Sequence, residues 1–223
     1  MLTEKERKRR QTVKEKGEKQ KQLLREKDRK RKLQQREKEK KKNQIFRAAI
    51  KLFSEKGFDA TMISDITRKA KVAYGTFYTF FEKKEDVVHH FFDLEMEKAH
   101  AQIERTLGSV DTFPGQIDLL YSTFWKHMCR NKEFIRIVVK DRILKWGING
   151  NINEKKFSEL FRHTVAEAKK RNTLDSRIDT DRCVKVAAAL NTMYLIFWLN
   201  GKIKSRKECL EQLKEDMKII FSL

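Results

Sequence analysis

Few residues of this chain are spaced for bond-making chemistry, and many are spaced for binding a polyanion. The five histidines, His89, His90, His100, His127 and His163, show no metal-ligand spacing. Adjacent His89 and His90 diverge by about 100° on a helix. No nucleophile elbow, phosphate-cradling glycine loop or pair of carboxylates in an apolar setting occurs, so the expectation is a protein that is not an enzyme, with no cofactor and no metal. Cys129, Cys183 and Cys209 are odd in number, far apart and set in apolar helical patterns, as expected of buried, reduced thiols in a cytoplasmic protein. The concerted pattern lies between Thr61 and Lys84. Ile63, Ile66 and Ala70 form the apolar stripe of one short helix, and Phe77 and Phe81 form that of a second. Ala73, Tyr74, Thr76 and Thr79 remain on the other side of the second helix. Such a small, polar face suits hydrogen bonding inside a DNA major groove.

The elements that must hold this face come just upstream. Gln44 to Lys56 carries Ile45, Ala48, Ala49, Leu52 and Phe53 on one side and stops at Gly57, with Phe58 filling the gap before the next helix. Together with Asp65-Ile66, Gly75-Thr76-Phe77-Tyr78, Phe81 and Lys84-Glu85, the stretch from about Gln44 to Val88 resembles the DNA-binding domain of the TetR family of bacterial transcriptional regulators. The resemblance implies a DNA-facing set of Thr61, Arg68, Lys71, Ala73, Tyr74, Gly75, Thr76, Tyr78 and Lys84. Tyr78 and Lys84 stand where the family touches the DNA backbone; Tyr74 and Thr76 stand where base edges or nearby phosphates are met. Met62, Lys71, Ala73 and Phe80 replace the family's usual Thr, Gly, Ser or Thr, and His. Neither Met62 nor Ala73 can accept a capping hydrogen bond, a loss of about 1 kcal/mol each. Lys71 falls in a turn that prefers positive φ, which costs about 1 kcal/mol more.

Composition narrows the partners. The chain has 52 Lys and Arg against 32 Asp and Glu, and its first 43 residues alone hold 20 bases and 8 acids. A double-stranded DNA partner is favoured over a membrane. With 1 Pro, 8 Gly and little β-branched alternation, the fold is expected to be all-α. There is no hydrophobic N-terminal segment and no uninterrupted apolar run of spanning length, so neither secretion nor membrane spanning is expected. Val184 to Leu199, interrupted by Lys185 and Asn191, reads as a core helix. The expected organisation is a basic low-complexity arm (1–43), a three-helix helix-turn-helix domain (44–90), and a helical ligand-binding and dimerisation domain (91–223), the last boundary falling inside a connecting helix from Glu85 to Leu107. Acid-to-base pairs such as Glu15-Lys19 and Glu37-Lys41 support a helix in the arm, with Gly17 as its weak point. The arm is therefore helical or disordered, and either a solvated tail or a segment that follows DNA phosphates.

In the C-terminal part, Thr112 to Gly115 reads as a turn. Helices are expected at Gln116 to Asn131, Lys132 to Trp146, Ile152 to Asn172, Asp179 to Lys202 and Arg206 to Phe221, with breaks at Gly147 to Asn153 and Asn172 to Ile178. Aromatic and methionine side chains exceed what a simple bundle needs and suit a cavity for an apolar or aromatic small-molecule effector. Phe92, Met96, Phe124, His127, Met128, Phe161 and Met193 are its candidate lining, with His127 as the polar group. Surplus apolar surface on the last two helices points to a homodimer through Val186, Ala189, Leu190, Phe197, Leu213 and Met217; in the resembled family the last two long helices form such an interface. The expected function is a sequence-specific repressor released from its operator by the effector. Two alternatives are an architectural DNA binder with little sequence preference and a regulator controlled by a protein partner.

The arm yields a quantitative expectation. If about four to eight of its bases contact phosphates, a chain beginning at Lys42 binds operator and random DNA more weakly by similar factors, and its log K against log salt slope is shallower by several units. An unchanged slope identifies a solvated tail, and a loss of specific binding alone identifies an arm that reads sequence.

Overall fold

The computed structural model describes residues 4–143 and 152–220, and side chains over 20–140 and 156–219. Every described element is helical, as the composition predicts. The elements fall into two compact units, Met1–Glu82 and Lys83–Leu223.

The first unit opens with α1 (Glu4–Lys56), a helix of 53 residues and so about 80 Å long. It passes through Gly17 without a break, because one interior glycine costs only about 1 kcal/mol against a run of good helix formers and favourable charge pairs. Side chains over 20–41 are all exposed, and burial begins at Ile45. Thus the last three turns anchor the helix. Gly57, at φ 85°, ends it in the left-handed region and donates its N–H to the Phe53 carbonyl at 3.0 Å. Two short helices follow, α2 (Ile63–Ala70) and α3 (Tyr74–Tyr78). Ile45, Ala49, Phe53, Phe58, Ile66 and Phe77 form the core between the three. Lys69 pairs with Glu55 at 2.9 Å, and Lys56 pairs with Asp65, tying the end of α1 to α2. Met62 supplies no side-chain cap to α2, but the Asp65 carboxylate accepts the Met62 N–H at 3.2 Å. This is half of a capping box. The hydrogen bond from Lys56, and then that from Met62, holds Asp65 below the ordinary carboxylate range.

The second unit comprises α4 (Lys84–Thr106), α5 (Phe113–Met128), α6 (Lys132–Ile143), α7 (Ile152–Lys170), α8 (Thr180–Asn200) and α9 (Arg206–Ile220). α4 packs against α5, α6 and α7, and belongs to this unit from its first residue rather than from about residue 90. The stretch Thr112 to Gly115, expected as a turn, instead starts α5: the Thr112 hydroxyl accepts the Gly115 N–H at 3.3 Å and Pro114 occupies the first turn. Asn172, at φ 55°, closes α7, and Gly201, at φ 78°, closes α8. The Trp146 end of the second expected helix, the break from Gly147 and the Phe221 end of the last lie outside the described residues. α8 has the length and mean hydropathy, 21 residues and 1.3, of a helix able to cross a membrane. In this unit its Ala187, Tyr194, Leu195, Trp198 and Leu199 are buried, and it packs between α7 and α9.

One buried charge crosses the unit. Glu95 on α4 is 2% exposed and accepts hydrogen bonds from Lys98 at 2.7 Å, His127 at 3.0 Å and Arg130 at 3.0 Å. Burial pushes the carboxyl pKa up, but these three donors outweigh it and hold the group at about 2. A depressed pKa gives stability that is present above the ordinary value of 4.5 and lost as pH falls toward 2. Between pH 5 and pH 3 the chain is expected to lose on the order of 2 kcal/mol more stability than its Glu95→Gln variant. Urea unfolding at the two pH values measures this, and parallel losses would refute it.

Candidate nucleic-acid interface and effector cavity

α3 presents its polar face because its apolar side is committed. Phe77 is fully buried and Phe81 is 4% exposed, their rings 5.7 Å apart, so the residues between point away from the core. Tyr74 and Tyr78 are exposed, their rings edge to face and their hydroxyls 3.1 Å apart. That hydrogen bond raises the Tyr78 phenol above its ordinary pKa. The two tyrosines therefore present one joined pair of hydroxyls. Between them, Gly75 is exposed, and a Cβ there would meet nothing within 4 Å. The surface is open enough for a DNA edge to approach the backbone closely. Ala73 is exposed at the N-terminus of α3, with no side-chain cap, and Thr76 is half-buried.

The turn before α3 adds cations. Lys71, exposed at φ 56° and ψ 44°, adopts the left-handed conformation expected of its position. Its N–H reaches the Arg68 carbonyl at 3.2 Å and the Val72 N–H reaches Thr67 at 3.1 Å, which closes α2 in a Schellman arrangement. Arg68 is largely exposed and 3.8 Å from Asp65. Thr61 departs from its expected place at the DNA face. It is fully buried, and its hydroxyl donates to the Gly57 carbonyl at 2.7 Å, so it stabilises the link between α1 and α2. Lys84 opens α4 in the second unit and is half-buried.

The second unit holds a cavity of about 170 Å³ that is partly open to solvent. Four expected residues line it: Phe92, Phe124, Met128 and Phe161. Three do not. Met96 is 1% exposed and part of the core. His127 bonds Glu95 through Nδ1 and Gln102 through Nε2, at 3.0 and 3.3 Å, and is a structural link rather than the pocket's polar group. Met193 lies outside the lining, spaced along α8 with the half-buried Val186, Leu190 and Phe197 and the exposed Ala189. Among the described residues, the polar groups of the lining belong to Tyr121, Ser158, Asn191 and Thr192, none of them in the expected lining; Asn191 had shown itself only as a polar interruption in an apolar helix. Leu213 and Met217, expected at a dimer interface, are fully buried inside the unit, because the stripe Cys209, Leu213, Met217 is the inward side of α9. Among the described residues, no group of three His, Cys, Asp or Glu could hold a metal ion.

Residues 45–91 match the family described as bacterial regulatory proteins, tetR family. The chain is 34% identical over 92 residues to the uncharacterized HTH-type transcriptional regulator YvdT of Bacillus subtilis (strain 168), covering 41% of this chain and 47% of that protein. It is 30% identical over 79 residues to the fatty acid metabolism regulator protein of the same organism, covering 35% of this chain and 41% of that one. The chain thus spans less than half the length of these curated relatives. The crystal structure of Thermus thermophilus FadR, a transcriptional repressor in complex with lauroyl-CoA, superposes with a TM-score of 0.65 at 18% identity, over 80% of this chain and 92% of that one. At that identity the likeness concerns the fold.

The roles expected of Lys84 and Tyr74 can be tested separately. Lys84→Ala is expected to weaken every duplex alike and to reduce the salt slope by about 1, whereas Tyr74→Ala changes the preference among sequences by about 1–3 kcal/mol at the affected base. Binding measured across a panel of single-base operator variants distinguishes the two. Equal losses on every sequence for both variants would remove the division.

Proposed function

Because the chain belongs to the TetR family of bacterial regulatory proteins, we propose that it is a homodimeric, sequence-specific repressor whose operator affinity is lowered by a small apolar effector. The observation that carries this reading is α3, a helix whose exposed Tyr74, Gly75 and Tyr78 have no part in the core that Phe77 and Phe81 build. Arg68 and Lys71 put positive charge beside it. The effector reading rests on the cavity, whose lining is mostly aromatic and aliphatic. Phe92, on α4, is part of that lining, and α4 follows the helix-turn-helix unit directly in the chain. An effector that favours one setting of α4 shifts the population of dimers whose two recognition helices match successive major grooves. Acyl-CoA esters are the first effectors to test, since one similar fold is a repressor in complex with lauroyl-CoA and one relative is a fatty acid metabolism regulator.

The dimer rests on the outer side of α8. Val186, Leu190, Met193 and Phe197 are only half-buried and Ala189 is exposed, although the sequence there is strongly apolar. Such a stripe is what a second copy covers.

The test uses the full chain, a duplex selected from random sequence and a random duplex at one fixed salt concentration. The selected duplex is expected to bind about 10³-fold or more tightly, and lauroyl-CoA to release it. Equal binding of both duplexes would identify an architectural binder. Retained operator binding with every apolar ligand would favour control by a protein partner. Light scattering is expected to give twice the 26.7 kDa of one chain, and a charged residue in place of Met193 or Phe197 to give monomers or insoluble protein. A native mass of one chain would sink the dimer.

A further inference from the structure

The cavity holds one polar group whose orientation is decided by its neighbour. Trp125 Nε1 donates to Asn191 Oδ1 at 2.7 Å. An indole N–H can only donate, so the amide oxygen must face it and the Nδ2 group must face the other way. Asn191 lines the cavity, and among the described residues its Nδ2 makes no hydrogen bond. Thr192 cannot serve in the same way, because its hydroxyl proton is given to the Ala188 carbonyl at 2.9 Å. Among the described residues, the rest of the lining offers no charge of either sign.

We propose that Asn191 is a specificity-determining residue, donating to the carbonyl of an uncharged acyl ester or similar neutral carbonyl ligand and selecting it over the free carboxylate. The inference rests on the cavity being the effector site. A neutral carbonyl gains one hydrogen bond from Nδ2 while its apolar portion packs against the aromatic and aliphatic lining. A carboxylate gains the same bond but gives up water for a lining that holds no cation among the described residues, which disfavours it. Size limits the portion that enters as well. An apolar cavity of about 150 Å³ is large enough for benzene, so about 170 Å³ takes a portion of similar size.

Binding of hexane, methyl hexanoate and hexanoate to the full chain at pH 8, followed by intrinsic tryptophan fluorescence, tests this. Methyl hexanoate is expected to bind about fivefold to tenfold more tightly than hexane, the worth of one net hydrogen bond, and more than tenfold more tightly than hexanoate. Asn191→Leu is expected to bind hexane as the native chain does and to lose the preference for the ester. Hexanoate binding as well as its ester, or an ester preference that survives Asn191→Leu, overturns the role of Asn191 and leaves the cavity as effector site intact. If none of the three binds, the cavity is not the effector site and both readings fall. Should the variant fail to fold, the ranking of the three ligands on the native chain still decides.

Discussion

A helix of five residues has no stability of its own, since nucleation alone outweighs what so few hydrogen bonds return. α3 exists because Phe77, fully buried, is held among the apolar faces of α1 and α2. The face proposed to enter the major groove follows from that one side chain. With Phe77 and Phe81 turned inward, a five-residue helix has no choice but to turn Tyr74, Gly75 and Tyr78 outward. The scaffold beneath is correspondingly rigid: a glycine stop at Gly57, a Schellman closure at Lys71, and two ion pairs between the end of α1 and α2.

The departures from the family's capping residues are absorbed locally. Met62 offers no oxygen to the start of α2, yet Asp65 supplies the reciprocal bond to the Met62 N–H, and its charge is kept by Lys56. Lys71 carries the strain of a left-handed residue with a side chain. In return it sets an exposed cation one turn away from the tyrosine pair.

Two polar groups inside the second unit have contrasting surroundings. Glu95 is a buried anion held by three donors, from α4, from α5 and from the turn that follows α5, a structural clamp whose charge persists at any ordinary pH. Asn191 is held by one donor and keeps its other end toward the cavity. The first kind of group fixes packing and the second keeps a donor for the proposed ligand, and the difference lies in whether the hydrogen-bonding capacity is fully used.

The sequence by itself determined the helical class, the two short helices and the inward and outward sides of α3, because these depend on spacings of three and four residues and on glycine and proline chemistry that act locally. It also marked the left-handed turn at Lys71 and the ends near Gly57 and Lys202. Only the tertiary structure decided that Thr61 is buried, that Leu213 and Met217 belong to the core of one unit, and that His127 serves Glu95 rather than the cavity. On α9 the periodicity shows an apolar stripe but not what covers it. Trp125 and Asn191 meet across 66 positions of chain, and no local pattern encodes a hydrogen bond whose partners are brought together only when α5 and α8 both pack on α7 and α9.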